Sequence, residues 1–209
     1  MIELHAIATA NGTKTSIMLE ECGLEYEVKH LDMAGGVHKS DEYLAMDPVG
    51  KMRVIVDHDG AGGTPVTVFG TLAIAVYCCD KSGKMMPGNA AARASAWEWA
   101  VACVTNLAPA LSFLFQLARA VPDSSGPKIE YIVGQADRLF KAIGLRLSEA
   151  EYLAGEYCFA DVQVYPVAAT SGMRMPDGLA PYPNIHRWCD GLELRPAVVR
   201  GMNVMPPLG

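Results

Sequence analysis

Apolar and polar positions repeat in short units through the first eighty or so residues and in long ones afterwards. Ile2 to Ala8 alternates closely enough to predict a strand. Asn11-Gly12-Thr13 then supplies turn residues and a helix N-cap ahead of Ser16-Ile17-Met18-Leu19-Glu20-Glu21, and Gly23 stands where a helix closes. Tyr26 to Leu31 reads as a second strand, which makes the first three elements a parallel βαβ crossover. The β-branched run Met52 to Asp57 predicts a third strand, and the turn Asp59 to Gly63 joins it to Val66–Phe69 as a hairpin. Gly70-Thr71 opens a helix through Leu72, Ile74, Val76 and Tyr77, with Thr71 offered as its cap. The order βαβ then ββα is that of a thioredoxin-like α/β domain.

From Ala90 onward strand signals stop. The stretches 90–118, 129–147, 159–171 and 185–194 carry helical periodicity and predict an all-α second domain. The breakers Ser82-Gly83 and Pro87-Gly88 place a hinge at 81–89. The expected division is therefore a thioredoxin-like domain over 1–82 and an all-helical domain over 90–209.

Composition changes this picture in two ways. Of 209 residues 51% are apolar and 19% charged, more apolar surface than a typical monomer needs to hide, so a homodimer is expected. A formal charge of -6 without a Lys/Arg cluster leaves no footprint for nucleic acid or anionic lipid. Met1 to Ala10 has no basic lead or apolar h-region, so a cytosolic location and no membrane partner are expected. Six cysteines without Cys-x-x-Cys or zinc-type spacing read as reduced, mostly buried thiols, and five scattered histidines give no metal site.

Asn11-Gly12-Thr13-Lys14, Leu19-Glu20-Glu21-Cys22-Gly23-Leu24-Glu25-Tyr26, Asp47-Pro48-Val49-Gly50-Lys51, Val56-Asp57-His58-Asp59-Gly60 and Tyr152-Leu153-Ala154-Gly155-Glu156-Tyr157 together resemble the glutathione transferases. The resemblance runs on to Tyr182-Pro183-Asn184-Ile185 and Arg195-Pro196, and its nearest variety is the Nu class of bacterial disulfide-reducing transferases and their fungal relatives. It implies glutathione laid across the thioredoxin-like domain. In that family a cis-proline presents backbone to the cysteinyl unit, and a Glu-Ser pair at a helix start holds the γ-glutamyl end, the helix N-terminus taking the carboxylate and the glutamate the ammonium.

Several of those contacts are altered here. Arg53 stands at the cis-proline position, and a cis bond before a non-proline residue costs about 3 kcal/mol, so Met52-Arg53 is expected to be trans. Gly70-Thr71 replaces Glu-Ser, keeping a hydroxyl but losing the carboxylate, a loss of about 1.5 to 3 kcal/mol or roughly tenfold to a hundredfold in affinity. Val37 replaces a glutamine, and Tyr131 an arginine sent from the helical domain. The family's N-capping box reads Cys158-Phe159-Ala160-Asp161, with a poor cap at its first position.

The resemblance leaves Met52, Arg53, Gly70, Thr71 and Lys51 as candidate glutathione-binding residues, with glutathione binding expected to be weak or absent. Thr9, Asn11 and Thr13 are the catalytic candidates, because an amide or hydroxyl donor beside a thiolate lowers its pKa; the alternative is that Asn11 and Thr13 only make the turn and cap the first helix. Arg53 either meets a substrate carboxylate or forms a salt bridge with Asp57 or a surface acid. Phe113, Trp99 and Tyr131 are the candidate contacts to a small hydrophobic molecule, each with an ordinary structural role as the alternative. Cys78, Cys79 and a partly exposed Cys103 are weighed as reactive thiols, with nothing in sequence to lower their pKa. Three functions stay open: a glutathione transferase-like enzyme acting on a small hydrophobic electrophilic or unsaturated compound by addition, thiol exchange or isomerisation; a glutathione-independent isomerase or cyclase; and a non-catalytic carrier or regulatory protein.

Overall fold

The computed structural model of the chain describes residues 1–33, 35–121, 125–173 and 175–205. These fall into two compact units, 1–86 with 195–209 and 87–194.

The first unit is a four-stranded sheet in the order β2-β1-β3-β4, built from β1 (Ile2–Ala6), β2 (Tyr26–His30), β3 (Arg53–Asp57) and β4 (Val66–Phe69). β1 runs parallel to β2 and antiparallel to β3, and β3 is antiparallel to β4, as the predicted βαβ-ββα order requires. Leu4, Ile17, Leu19, Ile55 and Ile74 are wholly buried between this sheet and its helices. Helix α1 (Ala10–Cys22) is the crossover; it ends on Gly23, whose φ of 69° is free for glycine and strained for other residues. A short helix, α2 (Asp41–Met46), was not anticipated by the periodicity, being too brief to show one. α3 (Thr71–Ser82) follows β4, and its cap position is Gly70, not Thr71, which is the first helical residue.

The C-terminal helix α9 (Pro196–Asn203) also belongs to this unit, whereas the sequence reading gave everything after 90 to the helical domain. It packs on α1. Arg195 grips Glu21 with two hydrogen bonds of 2.9 and 3.0 Å, Arg200 meets Glu20 at 2.6 Å, and Ser16 Oγ donates to the Gly201 carbonyl at 2.5 Å. Gly201 is required by close approach, since a methyl group there would lie 2.6 Å from Ile17 Cα.

The second unit is all-helical: α4 (Ala90–Ala102), a π-helical turn (Cys103–Leu107), α5 (Ala108–Ala120), α6 (Pro127–Glu149), α7 (Phe159–Ala169) and α8 (Pro183–Glu193). The run Ala90–Ala120, with mean hydropathy 1.6 over its most apolar stretch, is long and apolar enough to cross a membrane; 28% of that stretch is buried in the protein, where α4 packs on α7. α7 is the unit's core helix, buried from Phe159 to Ala168. The Cys158 cap is better than expected: its thiol takes the Asp161 N–H while Asp161 Oδ2 accepts the Cys158 N–H at 3.0 Å, a complete capping box. Cys103, expected to be partly exposed, is buried at 1% and donates to the Gln163 carbonyl at 3.1 Å.

Candidate functional site

Three segments of the first unit converge at one end of the sheet. Ala6, the last residue of β1, pairs with Arg53, the first of β3, and the Arg53 carbonyl accepts the Gly70 N–H at 3.4 Å. The loop 7–9, the segment 51–53 and the start of α3 are thus neighbours because the ladder makes them so. Of the eight candidate residues for thiol and glutathione binding, Thr9, Lys51, Met52, Arg53, Gly70 and Thr71 lie on these segments, and Asn11 and Thr13 lie in α1 just after the loop.

Thr9 is the true N-cap of α1; its Oγ1 accepts the Gly12 N–H at 3.2 Å, which corrects the assignment of that role to Asn11 and Thr13. Asn11 lies in the first helical turn, half-buried, with no hydrogen bond to its amide among the described residues. Thr13 is buried and its hydroxyl donates to the Thr9 and Ala10 carbonyls at 3.0 and 3.2 Å. Gly12 lets α1 start hard against the end of β1, since a Cβ there would stand 1.9 Å from the Ile7 carbonyl oxygen.

The peptide before Arg53 is trans, as expected, and the Arg53 N–H donates to the Lys51 carbonyl at 2.9 Å. The salt bridge to Asp57 does not form: Asp57 is buried and held by Lys81 at 2.8 Å and the Tyr77 hydroxyl at 2.6 Å. Burial would push the Asp57 carboxyl up, but those two partners hold it below the usual carboxylate range. Arg53 is half-buried, and its Nε has no hydrogen-bond partner among the described residues. Desolvation lowers its pKa, and the negative field of Asp47 opposes that fall.

Asp47 and Tyr43 shape this segment and were not singled out from the sequence. The Asp47 carboxylate is wholly buried and accepts the Val49 and Lys51 N–H groups at 3.0 and 2.8 Å; the Tyr43 hydroxyl donates to the Lys51 carbonyl at 2.8 Å. The available signal was the Asp-Pro-Val-Gly turn itself, since Asp commonly bonds backbone two residues on. Lys51 is exposed and Met52 half-buried.

Gly70 has φ 86°, and a Cβ added to it would meet nothing within 4 Å. α3 therefore starts beside open space, with no side-chain cap and with Thr71 buried at its first position. A helix N-terminus with a hydroxyl beside it suits a carboxylate, so the γ-glutamyl carboxylate of glutathione fits these residues. The ammonium end has no carboxylate at residue 70 to meet.

In the second unit, Phe113 is half-exposed and lines a groove of about 470 Å³ with Thr105, Asn106, Ile132, Gln135 and Leu139. The π-helical turn supplies Thr105 and Asn106 to it. Trp99 and Tyr131 are not among its lining residues; Tyr131 is 68% exposed on α6.

The family models for the "Glutathione S-transferase, N-terminal domain" and the "Glutathione S-transferase, C-terminal domain" match residues 10–81 and 106–196. The chain is 32% identical to the disulfide-bond oxidoreductase YfcG of Escherichia coli K12 over 94% of its own length and 92% of that protein's. It is 27% identical to the disulfide-bond oxidoreductase YghU of the same organism, over 96% of this chain and 73% of the relative. Among solved structures, a glutathione transferase family member from Pseudomonas fluorescens with two glutathione bound superposes with a TM-score of 0.90 at 30% identity, covering 96% of this chain and 92% of that one. With both halves matched by their family models and a relative of that identity along nearly its full length, the chain belongs to the glutathione S-transferase family and resembles its Nu-class-like disulfide-bond oxidoreductases.

Proposed function

We propose that this protein is a glutathione-dependent thiol–disulfide exchange enzyme that binds glutathione weakly. The observation that carries the proposal is the uncapped start of α3, open at Gly70 and lined by Thr71, in a chain 32% identical to a protein named a disulfide-bond oxidoreductase. Glutathione supplies the nucleophilic thiolate. Asn11 and Thr9 donate toward the sulfur, Thr71 and the α3 N–H groups hold the γ-glutamyl carboxylate, and the backbone of Met52 with the Arg53 and Lys51 cations faces the remainder of the tripeptide. Affinity is low because the peptide before Arg53 is trans and Gly70 offers the ammonium nothing.

We infer a homodimer as well, since Val101, Phe113, Tyr131 and Leu145 leave 43 to 68% of their surface exposed on α4, α5 and α6. Six free cysteines suit a reducing, cytosolic location. Light scattering tests the dimer directly; a monomer at micromolar concentration refutes it.

The test of the main reading has two arms. Glutathione in the millimolar range should raise the unfolding midpoint, with saturation at a hundred times the dissociation constant adding about 2.7 kcal/mol, and the Thr71→Val variant should lose most of the shift. Reduction of a small aliphatic disulfide by glutathione should be accelerated by the wild type. Neither effect at any glutathione concentration would sink the proposal and leave the glutathione-independent isomerase or cyclase, or the carrier. The replacement of the cis-proline by Arg53 favours that second reading.

A further inference from the structure

The residues gathered at the end of the sheet, 7–13, 51–53 and 70–72, include no Asp or Glu and two cations, Lys51 and Arg53. The acids on either side of the middle segment are both spent within the fold. Asp47 has no exposed surface, and its two oxygens accept the Val49 and Lys51 N–H groups. Asp57, at the far end of β3, has none either; Lys81 and the Tyr77 hydroxyl hold it, and it also takes the Asp59 N–H at 3.0 Å.

Positive features collect where acids are missing. α3 begins without a side-chain cap, so its first turn presents the positive end of the helix dipole to the open space beside Gly70. The Arg53 Nε is buried without a hydrogen-bond partner among the described residues, and the acid whose charge reaches its guanidinium is Asp47, already committed to backbone. A buried donor in that condition is one that a ligand's acceptor can satisfy.

Glutathione answers this arrangement only in part. Its γ-glutamyl arm carries a carboxylate and an ammonium on one carbon, and an ammonium donates hydrogen bonds but accepts none. With the carboxylate on the α3 terminus, the ammonium stands beside the positive end of a helix and in the field of Lys51 and Arg53. At residue 70, where an acid could face it, φ is 86°, a conformation that favours glycine over any side chain.

We propose, resting on the reading that this end of the sheet holds a thiol cosubstrate, that the preferred thiol is a cysteinyl compound whose acyl arm ends in a carboxylate with no ammonium beside it. Glutaryl-cysteinyl-glycine, which is glutathione with that ammonium replaced by hydrogen, is the simplest member of the class. The α3 terminus takes the carboxylate of its acyl arm and Arg53 the carboxylate of its other end, and the compound brings no positive charge into a site that has nothing to pair with one. Weak binding of glutathione is then the binding of a near relative of the true cosubstrate.

The experiment titrates the full chain calorimetrically with reduced glutathione and, separately, with reduced glutaryl-cysteinyl-glycine. The ammonium-free compound should bind more tightly by about twofold to fivefold, the effect of one charge at a helix terminus, and should support reduction of a small aliphatic disulfide at lower concentration. Arg53→Gln should weaken its binding roughly tenfold and flatten its dependence on salt. Gly70→Glu should reverse the order in favour of glutathione. Glutathione binding to the wild type as tightly as the analogue, or more tightly, would overturn the inference while leaving the exchange reaction in place, since an acid then holds the ammonium. Binding of neither compound would overturn both. The wild-type comparison decides the matter even where Gly70→Glu folds poorly.

Discussion

Asp161 is a carboxylate with no exposed surface, and three N–H groups depend on it. Oδ1 accepts from Leu153 N and Trp188 Nε1, both at 3.1 Å, and Oδ2 from Cys158 N at 3.0 Å. Asp161→Ala strands all three buried donors, at about 1 to 3 kcal/mol each, so a loss of at least about 3 kcal/mol is expected. Asp161→Asn keeps an acceptor for two of them and strands one, for a loss nearer 1 to 3 kcal/mol at neutral pH. The two variants also separate charge from hydrogen bonding. Burial raises the carboxyl from 3.8 to about 6 even though the three donors favour the ionised form. The folded state thus holds the proton more tightly than the unfolded chain, so this group's stabilisation is complete below pH 4 and is lost as pH rises to 6. Roughly two units correspond to about 3 kcal/mol. Denaturant unfolding of wild type and Asp161→Asn at intervals from pH 4.5 to 8 should show the wild-type advantage shrinking until about pH 6 and constant above it. Parallel curves, or an alanine variant costing under about 1 kcal/mol, would refute the reasoning.

Other substitutions address the site and its support. Gly12→Ala puts a methyl group 1.9 Å from the Ile7 carbonyl oxygen, so the backbone must move; the midpoint should fall by several degrees and glutathione-dependent activity should fall with it, read by calorimetry and rate. Gly70→Glu restores a carboxylate in open space at φ 86°, costing about 1 to 3 kcal/mol of stability from strain while tightening glutathione binding roughly tenfold to a hundredfold, measured by titration calorimetry. Gly201→Ala drives a methyl group to 2.6 Å from Ile17 Cα and should free α9 from α1, seen as rapid hydrogen exchange in 196–203.

The elements of the sheet were legible because each carried redundant signals. β3 had β-branched residues, a hairpin turn and a register fixed by β1, and the structure differs from expectation there only at one end. The helices α4 to α8 of the second unit had enough turns to display a period, although α4 and α5 read as the single stretch 90–118. α2 and α9, of 6 and 8 residues, did not. The place of α9 was illegible for a different reason: Arg195–Glu21 and Arg200–Glu20 join residues more than 170 positions apart, and no local pattern encodes them. In the candidate site the residue types were visible, but which of them the fold itself occupies was not.

That distinction narrows the catalytic candidates. A proton committed to backbone cannot also be given to a thiolate, so Thr13, whose hydroxyl serves the Thr9 and Ala10 carbonyls, is a structural residue. The Thr9 oxygen accepts from Gly12 but keeps its own proton to donate, and the Asn11 amide has no partner among the described residues. Two substitutions should therefore behave oppositely. Thr13→Ala removes hydrogen bonds worth about 1 kcal/mol and should lower stability while leaving the pH profile of glutathione-dependent turnover in place. Asn11→Ala should leave stability within about 0.5 kcal/mol and move that profile upward, because a thiolate deprived of a donor ionises at higher pH. If Thr13→Ala shifts the profile and Asn11→Ala does not, the sulfur lies against Thr13, and the hydroxyl must leave its helical carbonyls to reach it.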